Sequence, residues 1–410
     1  MIGGIDGGMQ MEKIKRRKSF RRKRSPWKIL LLILGCVVLV VGGFFAASMI
    51  DNYINYKNSQ PSDASSSSPS SQPSSAPASQ PSGDVSSQAS NPGQTTLKGT
   101  RAVTVPAESL SSRVTELLAL AKDGKINAVV VDIKTEDGTL QYATGLEAAT
   151  RAGVVKADAP DLSSALKQLK DGGVKTIARM SCFKDPKAAM KLSGAAVMYR
   201  PNPSLIWLDS TKNGKAWLNP YADAAKTYLI DIASEAADMG FAEILLANVQ
   251  FPDNNSSAGY YGSAASGISQ SQALTAFVTQ MSDAMRAKDV EVRLQSGALA
   301  AAGGTNTIYG GVNPVALGGE GLVVDLRVST LGKNLAIGDE TIADPAADPV
   351  NTVETLAAAM KDAGVQPVCI LDADSANLSG QIAALSAAGF EDIVLYRESA
   401  SYTAADLTTD

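Results

Sequence analysis

Histidine is absent from this 410-residue chain. Its absence excludes Ser-His-Asp and Cys-His catalysis, and it excludes zinc sites that use imidazole. Cysteine is scarce as well, and Cys182 and Cys369 both lie inside apolar, strand-like runs. We expect these two thiols to be buried and unpaired, and a disulfide-based scaffold is excluded. No Gly-x-Gly-x-x-Gly follows a predicted strand, which argues against a nucleotide cofactor.

An excess of positive charge is found only at the N-terminus, and the rest of the chain is net acidic. Residues 1–28 carry ten Lys or Arg against two acidic residues, whereas the whole chain has a net charge of −4. A nucleic-acid-binding protein would carry its basic patch on the folded part. We therefore expect no nucleic-acid partner.

The apolar run 29–50 contains no charged residue. It is long enough to cross the hydrocarbon core, which takes about 20 helical residues, and the basic residues before it predict a cytoplasmic tail at 1–28. A cleaved signal peptide is the main alternative, but its apolar region usually has about 7–15 residues. A lipoprotein signal at Cys36 is disfavoured because the run stays apolar beyond that residue. The sequence predicts an uncleaved single-pass anchor in the cell membrane, with the remainder of the chain outside the cell.

Residues 51–100 are rich in Ser, Pro and Gln and have few large apolar side chains. Such a segment cannot bury enough surface to offset the entropy of ordering, so it is predicted to be a disordered linker. A folded domain is predicted for 101–410.

Within that domain, β-type apolar runs alternate with Ala-rich amphipathic stretches. Several amphipathic stretches end in Gly before an apolar run, as at Gly240 and Gly389, where Gly supplies a left-handed turn. Strand and helix in alternation predict a parallel sheet covered by helices, and eight strands favour a closed (β/α)8 TIM barrel over an open doubly wound sheet. The candidate strands are 102–105, 127–133, 174–182, 243–249, 290–296, 321–328, 367–371 and 392–396. The main candidate helices are 110–121, 161–171, 222–239, 269–287, 352–363 and 379–388.

Several segments of this domain, in order along 101–402, resemble a bacterial family of glycoside-hydrolase domains of uncharacterised function. That family is built on a TIM barrel related to the alpha-amylase-like clan, so the resemblance implies a carbohydrate ligand, with surface or wall glycans as candidates. The matching segments are Val-Val-Val-Asp-Ile-Lys (129–134) with Asp-Gly (137–138), Ile-Ala-Arg (177–179), Phe-Lys-Asp-Pro (183–186), Trp-Leu-Asn-Pro-Tyr (217–221) and Glu-Ala-Ala-Asp-Met-Gly-Phe (235–241).

The chain departs from the family where chemistry would be expected. Members typically end the fourth strand with Phe-Asp-Tyr-(Val/Ile)-Arg-Phe-Pro, in which the Asp is the implied nucleophile, but here Ala247 replaces that Asp and Gln250 replaces the Arg. The segments 293–297 and 325–329, at the ends of the predicted fifth and sixth strands, also lack the family's usual signatures. Glycoside hydrolysis normally needs two carboxyl groups, and the Ala247 methyl group can serve as neither.

Candidate site residues follow from the barrel prediction, because ligands of such barrels contact residues at the C-terminal strand ends. Asp132 and Glu136 could form a surviving catalytic pair. Alternatively, Asp132 orients Arg179 or Lys134 in an ion pair while Glu136 and Asp137 shape a turn. Trp207, Trp217 and Tyr221 could stack on sugar rings or pack in the core. The predicted ligand-binding residues are Lys134, Asp137, Arg179, Lys184, Trp207, Asp209, Trp217, Asn219, Asn248 and Gln250.

No metal or cofactor is expected. Asp372 and Asp374 with Asn377 suggest a cation loop, but further oxygen ligands of a calcium loop are missing from the pattern.

The favoured function is binding of a surface or wall polysaccharide with impaired or lost hydrolysis. One alternative is an active glycosidase that pairs Asp132 or Glu136 with Asp325 or Asp372. The other is a scaffold ectodomain that binds wall or envelope proteins. The sequence leaves the oligomeric state open.

Overall fold

A closed barrel of eight parallel strands forms the folded domain. The computed structural model describes residues 99–253, 258–304 and 306–407. In this part of the chain each barrel strand pairs with the next along the sequence, and the last strand pairs with the first. The predicted fold of the domain is confirmed. The strands are β1 (Arg101–Pro106), β2 (Ala128–Lys134), β3 (Lys175–Ser181), β4 (Glu243–Ala247), β5 (Glu291–Gly297), β6 (Leu322–Asp325), β7 (Pro367–Asp372) and β8 (Ile393–Tyr396).

Helices connect the barrel strands, and all six predicted helices are present. Gly240 (φ 110°) and Gly389 (φ 94°) end two of them in the left-handed conformation, as expected. Three further helices, at 147–152, 186–191 and 298–301, were not predicted because each spans only one or two turns. The helices are α1 (Ala107–Lys122), α2 (Glu147–Ala152), α3 (Ser163–Asp171), α4 (Pro186–Lys191), α5 (Asp223–Met239), α6 (Gln270–Arg286), α7 (Ala298–Ala301), α8 (Pro349–Asp362) and α9 (Leu378–Ala388).

The described part of the chain also contains two small sheets outside the barrel, and neither was predicted. Strands Met198–Tyr199, Asn202–Ile206 and Gly259–Tyr260 form one of them, and Leu335–Ile337 with Glu340–Ile342 forms a hairpin. These runs of two to five residues are too short to show the apolar alternation that identifies a strand in a sequence.

Side chains alternate along each strand between the two faces of the barrel wall. One face packs against the helices in the main core. The other fills the barrel interior with small and branched side chains, including Ala102, Val130 and Ile370. These interior side chains do not fill the barrel completely, and open space remains near its C-terminal end.

Cys182 and Cys369 are buried and unpaired, which confirms the expectation for both thiols. Burial raises the pKa of the Cys182 thiol to about 12, so this group is not a reactive thiolate at neutral pH.

The predicted cytoplasmic tail, the predicted membrane helix and all but the last two residues of the predicted linker lie outside the described residues. Among the residues that are described, no helix combines the length and apolar character that crossing a membrane requires.

Candidate functional site

The C-terminal end of the barrel contains a cavity of about 440 Å³. Side chains from β1 to β5, β7 and β8 line it, together with residues that follow the strands, including Arg327 after β6. This is the end at which barrels of this type place their ligand-binding groups. The cavity volume falls within the usual range for sites that hold small ligands.

Asp132 and Arg179 form the polar centre of this cavity. The two residues are register partners on β2 and β3, so their side chains emerge side by side on the inner face. Arg179 Nη1 donates to Asp132 Oδ1 at 2.8 Å, and its Nε donates to Gln295 Oε1 on β5 at 2.6 Å. The ion pair that the sequence suggested between Asp132 and Arg179 is confirmed.

Glu136 lies in the loop after β2 and also lines the cavity. Lys184 Nζ donates to Glu136 Oε2 at 2.7 Å, and Asn248 Nδ2 lies 3.4 Å from Oε1. Burial would raise the pKa of Glu136, but the hydrogen bond and charge of Lys184, with the amide of Asn248, bring that pKa below its ordinary value. At neutral pH this carboxyl group is therefore an ionised acceptor.

Asn248 adopts a left-handed backbone conformation, with φ of 54°. Asn tolerates this region better than most residues. The turn directs its side-chain amide toward Glu136 and toward Ser181 Oγ, which it reaches at 3.0 Å. The structure thus brings together five of the predicted site residues, Asp132, Arg179, Glu136, Lys184 and Asn248.

Ala247 ends β4 immediately before this turn, and it is only 2% exposed. The end of β4 therefore presents a methyl group and an amide where the resemblance implied a nucleophilic carboxylate.

The opposite side of the cavity carries residues that were not on the predicted list. Arg327 donates from Nε and Nη2 to the two carboxylate oxygens of Asp325, at 2.9 and 2.7 Å. Its guanidinium lies 4.3 Å from the centroid of the Tyr396 ring, a cation–π distance. Arg327 and Tyr396 stand at the ends of their strands, so a stricter use of the strand-end rule would have found both.

Lys134 does not reach the cavity. Its ammonium group is 2.8 Å from Asp185 Oδ2 and donates to the Ser181 carbonyl at 2.6 Å, and both ionic side chains are fully buried. The register shift between Asp132 and Lys134 turns Lys134 away from the barrel axis. Asp185 Oδ1 in turn accepts from the Ala188 amide and caps α4.

Asp137 shapes the turn that precedes Gly138, as one interpretation of the sequence held. Its carboxylate accepts from Thr135 Oγ1 and from the Thr139 amide, and Lys187 lies 2.9 Å away. Burial opposes ionisation, but these hydrogen bonds lower the pKa of Asp137 well below its usual range.

The remaining predicted residues belong to the insertion after β3 and to the loop after β4, and none lines the cavity. Trp207 and Trp217 are buried in the main core, and the Trp217 indole donates to Asp209 at 2.9 Å. Asn219 is buried and donates to the Tyr261 carbonyl. Gln250 donates to Asp253 at 3.1 Å. These contacts hold the insertion and its neighbouring loop in place.

The carboxylates of Asp372 and Asp374, which the sequence suggested as part of a cation loop, accept hydrogen bonds from protein groups instead. Asp372 accepts from the Ser329 amide, and Asp374 accepts from Arg397 at 2.8 Å. Among the described residues, no group of three or more Cys, Asp or Glu side chains is arranged to hold a metal ion.

Residues 102–301 match the family described as "Putative glycosyl hydrolase domain". The match extends from β1 through the helix after β5, and the resemblance seen in the sequence motifs is confirmed. No curated protein matches the chain.

Solved structures share this architecture. The PgaB (BpsB) glycoside hydrolase domain from Bordetella bronchiseptica is 14% identical with a TM-score of 0.55, over 74% of this chain and 95% of that one. This likeness shows the fold. A hypothetical protein from Ruminiclostridium thermocellum is 27% identical with a TM-score of 0.41, over 47% of this chain and 96% of that one.

Proposed function

We propose that this chain, whose residues 102–301 carry the glycosyl hydrolase family domain, binds a cell-surface or cell-wall polysaccharide and has lost most or all hydrolytic activity. We call the cavity with Asp132, Glu136 and Arg179 the mouth of the barrel, and its composition is the observation on which the proposal rests. It offers a ligand-sized space and a fixed set of polar groups without an identifiable acid and nucleophile.

The missing nucleophile is the first support. A retaining or inverting glycosidase places two carboxyl groups about 5–10 Å apart across the scissile bond. At the end of β4, Ala247 can neither attack an anomeric carbon nor activate water, and Asn248 is an amide. Relocation of the nucleophile to Asp132 would still require a second carboxyl group that donates a proton.

The state of Glu136 is the second support. A glycosidase acid must hold a proton near neutral pH, which requires a raised pKa. The pKa of Glu136 is lowered instead, so at neutral pH this group lacks the proton that a leaving group would need. An ionised, cation-paired carboxylate suits the binding of sugar hydroxyl groups.

The polar groups of the mouth suit such binding. Asp132 and Glu136 supply acceptors, and Arg179 and Lys184 supply charged donors, each held by a partner at 2.6–2.8 Å. Preorganised polar groups reduce the entropy that ordering on binding would cost.

The proposed location is outside the cell, with the chain anchored through 29–50. The basic tail and the apolar run support this part of the proposal. An anchored binder would hold the surrounding polysaccharide close to the membrane.

The test uses the full chain, purified in detergent, with purified cell-wall polysaccharides as probes. We expect binding in calorimetry without release of reducing ends over long incubation. Asp132→Asn should weaken this binding, whereas Asp283→Asn on the exposed face of α6 should leave it unchanged.

Two other results of this test would each point to a different function. Release of reducing ends that Asp132→Asn or Glu136→Gln abolishes would establish an active glycosidase. Failure of every polysaccharide to bind would overturn the proposal and favour a protein-binding scaffold.

A further inference from the structure

A second depression lies beside the mouth of the barrel. It has a volume of about 450 Å³ and is lined by the segment between β2 and α3, including Ala143, Thr150 and Gly153. Its walls carry small side chains and two threonines, and its charged residues are Lys156 and Asp158. We call this depression the side groove.

Lys156 belongs to both spaces, since it lines the mouth cavity and the side groove. Its ammonium group forms an ion pair with Glu108, which follows β1. This pair stands at the boundary between the two spaces. Both side chains are substantially exposed, and exposed ion pairs contribute little to stability, so a ligand can displace this one at small cost.

The wall of the side groove is held rigidly from behind. Glu235 on α5 accepts from the Tyr142 hydroxyl at 2.7 Å, from Thr144 Oγ1 at 2.5 Å and from the Gly145 amide at 2.7 Å. The adjoining backbone is fixed as well, because the Lys156 amide donates to the Leu140 carbonyl at 2.9 Å. A groove held in this way is formed before any ligand arrives.

We propose that the side groove is a second subsite for the same polysaccharide, so that the ligand runs from the mouth across Lys156 into the groove. This inference rests on the proposed function. Continuity of the two spaces at Lys156 argues for one occupant. The groove offers hydroxyl groups and small apolar contacts, which match the hydroxyl groups and C–H faces of a sugar chain. The protein would therefore recognise an internal stretch of polymer in preference to a single sugar.

The experiment compares fragments of one purified cell-wall polysaccharide, sized as disaccharides, tetrasaccharides and hexasaccharides, by calorimetry with the full chain. We expect the hexasaccharide to bind at least about tenfold more tightly than the disaccharide, a difference well within the reach of a second subsite. Ala143→Trp and Thr150→Trp each place a large ring in the groove from an exposed position. Both should remove the gain for the longer fragment and leave disaccharide affinity unchanged.

Ala287→Trp is the matched control, because this exposed alanine follows α6 and lines neither space. It should retain the dependence on length. Unchanged disaccharide affinity also shows that each groove variant is folded. Affinity that does not grow with length, or groove variants that bind all fragments like the wild type, would overturn the second subsite while leaving the proposed function intact. Absence of binding by every fragment would instead overturn the proposed function.

Discussion

The N-terminal and C-terminal ends of the barrel both carry charged side chains, but they differ in the space that those side chains enclose. At the N-terminal end, Lys175 lies 2.8 Å from Glu243 and 2.6 Å from Glu291. The space enclosed there is about 20 Å³. At the C-terminal end, Asp132 and Arg179 form a pair of similar length beside a cavity of about 440 Å³.

The two ends differ in how deeply their charged side chains are buried against partners of opposite charge. Glu243 is almost fully buried and has Lys175 at its carboxylate, with Arg293 3.6 Å away, so this end is closed. Asp132 and Glu136 remain partly exposed beside open volume. The N-terminal end therefore stabilises the barrel, and the C-terminal end is available to a ligand. The following predictions test this division, from the largest expected effect to the smallest.

Lys134 lies near the mouth of the barrel, yet it is fully buried against Asp185. It is therefore an exception to the rule that charged side chains at the C-terminal end are available to a ligand. Lys134→Met should lower the free energy of unfolding by about 3–5 kcal/mol, since it leaves a buried carboxylate without its cation. Lys187→Met, which removes an exposed pair with Asp137, should cost less than about 1 kcal/mol. Urea unfolding measures both. Loss of glycan binding without loss of stability in Lys134→Met would make Lys134 part of the binding site.

Lys175→Met tests the N-terminal end. It should destabilise the fold by about 2–3 kcal/mol because the buried Glu243 loses its nearest cation, and it should leave glycan affinity unchanged. Burial already raises the pKa of Glu243, against the effect of Lys175. Losing the lysine raises the pKa of Glu243 further. The stability of the Lys175→Met variant therefore falls as pH rises through that higher pKa. The defect should shrink as pH falls from 7 toward 4.

Glu291→Gln is the matched control for Lys175→Met, because Glu291 is the exposed partner of the same lysine. It should change stability by less than about 1 kcal/mol. A weaker glycan affinity in either variant would show that the two ends of the barrel are not independent.

Arg179→Gln tests the C-terminal end. It removes the donors to Asp132 and Gln295 and should weaken polysaccharide binding about tenfold or more, equivalent to about 1.4 kcal/mol. Stability should change by about 1 kcal/mol at most, because the pair is partly exposed. Calorimetric titration and thermal unfolding separate the two effects. Strong destabilisation with unchanged affinity would assign this pair the same structural role as the Lys175–Glu243 pair.

Glu136→Gln should give the smallest change in stability, although the pKa of Glu136 is shifted in the direction opposite to that of Glu243. Its pKa is lowered in the folded state, so it contributes stability above its unfolded pKa of about 4.3. That contribution is lost as pH falls through the folded pKa. Glu136→Gln should therefore be less stable than the wild type at pH 7 by under about 1 kcal/mol, and the two should converge in acid. A difference that grows in acid would contradict the lowered pKa.

Much of the barrel could be predicted because its strands are continuous runs of β-branched and other apolar residues, as in Val129–Val131. Burial on both faces of a parallel strand requires such runs, so the signal is local. Helix ends marked by Gly240 and Gly389 are local signals for the same reason. The polar strands near Met198 could not be predicted, since their pairing depends on Gly259–Tyr260, far along the chain.

The candidate site was predicted only in part. Asp132 and Arg179 were found because both stand at strand ends, where the barrel rule places ligand-binding groups. Lys134 was misplaced because a register shift between Asp132 and Lys134 leaves no mark in the sequence. The two tryptophans were ambiguous, because an aromatic side chain packs a core as well as it stacks on a sugar.

The sequence by itself determined the barrel, and its resemblance to the family implies that Ala247 stands where a carboxylate would, because each depends on which residues occupy a short stretch. It also predicts the apolar run 29–50 as an anchor. Only the tertiary structure decided which charges pair, how much space they leave and that Lys156 lies between two depressions. Those properties depend on contacts between residues tens to hundreds of positions apart, and such contacts exist only once the barrel has closed.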